Sequence, residues 1–167
     1  MADDPRTQLI GRIEAIRERW RRLADDVGEE RMELPGPMGE WTFKDLASHL
    51  TAWRRRTVDR LEAAARGEPT PPSPWPAELG DDEDDPINGW IHEQTKDRPL
   101  ATVLAEADAT YDALIAAVNE LPMEDLTNAQ RFEWLEGEAL ANVDLGGHLD
   151  GHEPDVRRWL ADQPSAA

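Results

Sequence analysis

Leu9, Ile13, Ile16, Trp20 and Leu23 recur at steps of three and four residues, the spacing that lines one face of an α-helix. The pattern returns twice. Phe43, Leu46, Leu50, Trp53, Val58 and Leu61 form a second stripe. Leu100, Val103, Leu104, Ala107, Tyr111, Leu114 and Val118 form a third. No alternating, strand-period segment exceeds four residues, so the chain reads as all-α.

Local signals set the expected boundaries. Asp4 followed by Pro5 opens a first helix over residues 5–27, and Gly28 ends it. Residues 34–41, with two Pro and two Gly, read as loop. Thr42 with Asp45 resembles a capping box that starts a helix over 43–66, and Gly67 suits its C-terminal cap. Residues 68–86 are Pro-rich and then acidic, which predicts a long crossover loop without regular structure. Pro86 opens a short extra helix and Pro99 a longer one, and 122–135 reads as a second irregular connection. A last helix is expected over 137–161, with Gly146, Gly147 and Gly151 inside it and Pro154 kinking it. Four amphipathic helices with one long crossover predict an antiparallel four-helix bundle, formed as a single domain over residues 1–167.

Composition narrows the function classes. The 167 residues carry 18 Lys and Arg against 36 Asp and Glu, a formal charge of −18 that disfavours nucleic-acid binding. Arg17, Arg19, Arg21 and Arg22 cluster among acidic neighbours, which reads as a solvated helix face rather than an anion site. The absence of Cys excludes disulfides, thiolate metal ligands and cysteine nucleophiles. Neither a signal-peptide stretch nor a long apolar segment is present, so no membrane association and a cytoplasmic location are expected.

Histidine carries the chemistry. His148 and His152 are four residues apart in HLDGH, a spacing that on an α-helix stacks two imidazoles on one face. His49 lies between Leu46, Leu50 and Trp53 and faces inward as a third ligand from another helix. Three neutral imidazoles suit a divalent ion, with zinc or nickel expected, and leave coordination positions open. A metal-bound water or thiolate is then the expected nucleophile, and no catalytic side chain is assigned. Asp45 and Asp144, each one turn before a ligand, are candidates to orient the rings. The competing assignments are a helix cap for Asp45 and an exposed surface charge for Asp144. Trp41, Trp53 and Trp90 are candidates to line a pocket, against simple core packing. His92 reads as surface or partly packed.

Three segments carry a resemblance: EWTFKDLASHLTAW at 40–53, INGWIHEQTKDRPLATVLAE at 87–106 and HLDGHEPDVRRWL at 148–160. Together they resemble the DinB-like (YfiT-like) metalloenzyme superfamily, and within it the ClbS/DfsB group. The resemblance spans roughly residues 5–162. It implies an up-down-down-up four-helix bundle and metal ligands at His49, His148 and His152. It also implies a detoxification-type activity on a small electrophilic substrate. The reaction would be hydrolysis or thiol transfer, with a low-molecular-weight thiol as the second substrate. Leu149 and Gly151 depart from the group's pattern, which favours an aromatic residue and an acid there. The alternatives are a non-catalytic protein that sequesters a ligand and a structural metal-binding bundle. Homodimerisation along a helix face is a further expectation.

Overall fold

The computed structural model describes residues 4–81, 84–145 and 147–164, and among these it is mostly helical. Helix α1 spans Pro5–Val27. Asp4 caps it by accepting from the Thr7 N–H at 3.0 Å, and the Gly28 N–H closes it on the Ala24 carbonyl. Helix α2 spans Phe43–Ala65 and starts on a complete capping box. The Asp45 N–H donates to Thr42 Oγ1 at 3.1 Å, and the Thr42 N–H donates to Asp45 Oδ2 at 3.0 Å. Its end is a Schellman motif. The Glu68 N–H reaches the Ala63 carbonyl and the Gly67 N–H the Ala64 carbonyl, with Gly67 at φ +71°.

Between α1 and α2 the expected loop contains a small antiparallel hairpin, β1 (Pro35–Met38) with β2 (Trp41–Thr42). Proline and glycine there permit an irregular two-strand ribbon without any alternating apolar signal. Helix α3 spans Asp84–Thr95, beginning before Pro86 rather than at it. Helix α4 spans Leu100–Glu120, and a short α5 (Met123–Thr127) occupies part of the connection expected to be irregular.

The last segment corrects the expected continuous helix over 137–161. Residues Leu140–Asn142 and Gly147–Gly151 are separate 3-10 turns, and only α6, Glu153–Ala161, is α-helical. Glycine weakens helix interiors, and Pro154 lacks the N–H that an upstream turn would need. The proline instead sits in the first turn of α6, where no such bond is required.

The main core joins α1, α2 and α4 through Leu9, Ile13, Leu46, Leu61, Tyr111 and Leu114, all at most 1% exposed. Trp20 stacks on Phe43 with ring centres 5.0 Å apart. The Pro-rich loop is anchored rather than free: Trp75 is buried with Ile87 and Ile91 of α3, and its ring lies 4.8 Å from that of Trp53. Lys44 fixes the α3–α4 connection by donating to the Lys96 and Arg98 carbonyls while pairing with Glu33. Arg17 is not on a solvated face. It is buried and bridges α1 to α4 through Asp108 and Asp112.

Candidate metal site

His49 projects from the second turn of α2, whose buried stripe turns it inward until it is 2% exposed. His148 lies in the 3-10 turn Gly147–Gly151, and His152 is the residue that caps α6. The pair is therefore not stacked on one helix as expected. A 3-10 turn followed by a helix start brings the two rings to 5.2 Å between centres, tilted by 33°. Both face His49, at 4.7 and 5.1 Å between ring centres and nearly perpendicular to it.

One ring nitrogen from each histidine lies within 4.8 Å of the other two. His49 Nε2 and His148 Nε2 are 3.1 Å apart. Nitrogens bound to one zinc at about 2.0–2.1 Å in tetrahedral geometry are separated by about 3.3 Å, so the spacing fits a shared ion. The same distance fits an N–H···N hydrogen bond when no ion is held, with one imidazole as the donor tautomer.

The electrostatics suit metal ligation. Burial lowers the His49 pKa to about 3, helped by the neighbouring His148 and His152 and opposed by Asn88. Burial also lowers His148, with His152 next in effect, and lowers His152. His148 is exposed as a residue, but its ring is packed against His49, His152 and Trp53. All three rings are thus neutral near pH 7, with lone pairs available to a cation.

The two candidate orienting carboxylates take the competing assignments, a helix cap for Asp45 and an exposed position for Asp144. Asp45 caps α2, and its Oδ2 lies 3.5 Å from His92 Nε2. His49 Nδ1 is buried without a hydrogen-bond partner of ordinary geometry, so Asp45 does not hold that ring. Trp53 Nε1 donates to Asn88 Oδ1 at 3.0 Å, which brings the Asn88 amide close to His49. Asp144 is exposed on the wall of a cavity that also takes in His148.

That cavity, of about 250 Å³, opens beside the imidazoles and is walled by Leu50, Trp53, Arg54, Trp134 and Leu149 among others. Trp53 is on the wall of this cavity. Trp41 and Trp90 do not line this cavity. Trp41 stacks on His92 at 4.9 Å, and Trp90 packs against the Trp75 cluster. Arg54 and Trp134 were not anticipated. A signal for Arg54 exists: it stands where the series Leu46, Leu50, Val58 and Leu61 calls for an apolar residue. No comparable signal marks Trp134, which is carried in by an irregular turn.

Three converging neutral imidazoles beside a small cavity define a helical protein able to bind a metal ion. Residues 12–153 match the family model of the DinB superfamily, and the chain belongs to that superfamily. No curated protein and no solved structure matches the chain. Among the described residues no helix is long and apolar enough to cross a membrane.

Proposed function

We propose that the protein is a metal-dependent enzyme acting on a small electrophile, by hydrolysis or by transfer of a low-molecular-weight thiol. The observation that carries this reading is the convergence of His49, His148 and His152, with His148 also on the wall of a cavity. Three protein ligands leave a coordination position for a reactant, the arrangement of catalytic rather than structural sites. A bound zinc or nickel ion supplies Lewis acidity to an oxygen or sulfur atom there.

The chain's own residues do the rest. His49 is held neutral by burial and therefore keeps its lone pair for the ion even in mild acid. Trp53 and Trp134 offer apolar faces to a substrate, and Leu50 and Leu149 narrow the space around it. The long helices and α6 are read as the up-down-down-up bundle of the ClbS/DfsB-like group, with the 3-10 turns replacing the first half of its last helix. A site that only stapled helices together would be closed by a fourth protein ligand. Among the described residues the cluster has three members.

The test pairs elemental analysis of untagged protein with hydrolysis and thiol-conjugation assays, with and without chelator. Bound zinc or nickel near one per chain, lost in H148A, and chelator-sensitive turnover are expected. Unchanged turnover by an ion-free H49A protein would exclude the mechanism.

A further inference from the structure

Arg54 is the most unusual side chain in the cavity wall. It is 8% exposed, yet its contacts are neutral. Nη1 donates to Thr110 Oγ1 at 2.7 Å and to the Ala107 carbonyl at 3.3 Å. The guanidinium carbon sits 3.6 Å from the centre of the Tyr111 ring. Among the described residues it has no carboxylate in ion-pair contact, whereas the comparably buried Arg17 holds two. Buried charges are ordinarily paired, because removal from water is costly and an aromatic face offsets only part of that cost. Burial lowers the Arg54 pKa, and Arg54 in turn disfavours protonation of His148.

Asp108 acts on Arg54 only at a distance, because its carboxylate is engaged by Arg17 and Arg21. Asp144, the acidic residue on the lining, is exposed, so water screens it in a way it does not screen Arg54. Arg60 lies over Trp134 at 5.1 Å, and its buried Nε lacks a partner. The wall of this cavity sets Arg54 beside two indoles and the His148 ring, with the exposed Asp144 also on it.

We propose that the cavity recognises a small organic carboxylate, with the carboxylate on Arg54 and an apolar body between Trp53 and Trp134. The proposal rests on the reading of the His cluster as a reactive site and specifies the substrate class for it. Arg54 is then the residue that selects substrate. An acid anchored on it projects its remaining atoms toward His148, which shares the same wall. A volume of about 250 Å³ lies just below the ordinary range for ligand sites, roughly 300–1,000 Å³, so the acid is small.

Binding is measured on metal-free protein in chelator, so that a carboxylate cannot score by binding an ion. Benzoate and its neutral isostere benzamide are titrated by calorimetry and by indole fluorescence. Benzoate is expected to bind in the millimolar range and benzamide at least about tenfold more weakly, as for a charge-assisted pair. R54Q should lose that preference while retaining its helical circular dichroism, and R54K should keep part of it. Equal affinities for benzoate and benzamide, no benzoate binding by folded wild type, or a preference unchanged in R54Q would each overturn the proposal. If R54Q does not fold, wild type and R54K decide, and a ratio near one in either overturns it. Because no metal is present, this outcome is independent of whether the His cluster supports turnover.

Discussion

His49 Nε2 and His148 Nε2 lie 3.1 Å apart although 99 residues separate them in the chain. Holding two nitrogens this close requires the 3-10 turn that carries His148 to be docked on α2. Metal binding and docking of the C-terminal segment are therefore linked. Zinc added to metal-free protein at about a hundred times its Kd should stabilise it by about 2.7 kcal/mol, or roughly 5–10 °C in Tm. H148A should weaken zinc binding by more than the roughly 10–100-fold typical of losing a group that merely orients a ligand. Calorimetric titration of both proteins checks this, and equal affinities would remove His148 from the ligand set.

Acid should unfold the metal-free protein partly through this cluster. The unfolded chain takes up protons on its histidines near the ordinary value of 6.5, whereas folded His49 resists protonation down to about 3. In between, the unfolded state holds more protons, so stability is full above pH 6.5 and falls as pH drops toward 3. His148 and His152 act in the same direction. H49N should flatten the decline of stability below pH 6.5. The change should be at most about 1.4 kcal/mol per pH unit. Denaturant melts across that range in chelator check the slope.

Gly36 couples the hairpin to α6. Its φ is +130°, and a Cβ there would stand 2.5 Å from Trp159 Nε1 and 2.8 Å from Cδ1. G36A should cost about 1–3 kcal/mol, from backbone strain and overpacking together. It should also weaken zinc binding, because His152 caps α6. A stability loss with unchanged zinc affinity would show that α6 shifts without moving its cap.

Arg17 and its two acids should respond unequally to truncation. Arg17 is buried, whereas the Asp108 and Asp112 side chains keep 41% and 69% of their exposure. R17M leaves Asp108 to Arg21, returns Asp112 to water and fills the space with an apolar chain, so about 1–2 kcal/mol is expected. The double variant D108N/D112N leaves a buried cation without an ionic partner and should cost about 3–5 kcal/mol. Denaturant melts compare the two.

The long helices were legible because several local signals agreed on each. For α1, Asp4, Pro5, the apolar stripe and Gly28 mark both ends and the buried face. For α2, Thr42, Asp45 and Gly67 do the same. Periodicity misled over 137–161, since isolated 3-10 turns also bring apolar residues inward every three or four positions. Gly147, Gly151 and Pro154 were the correct warning, and they act as breaks rather than as flexible points within one helix, whereas Gly146 lies outside the described residues. The three histidines were identifiable because ligand chemistry tolerates several backbones, provided the rings meet. Asp45 was ambiguous for a physical reason: one carboxylate one turn before His49 can cap the helix or hold the ring, and Thr42 claims it. The inward tilt of Trp134 and the anchoring of the proline loop by Trp75 depend on tertiary packing alone.

Helix α6 has nine residues, well short of the roughly 12–15 at which an isolated helix begins to persist. What secures it lies elsewhere in the chain: Arg19 reaches Asp150 and Glu153 at 2.6 Å, Trp159 covers Gly36, and His152 meets His49. A cation gripped by the imidazoles therefore works as a latch on the tail. Amide exchange should register its removal first around residues 147–161, well before the three long helices loosen.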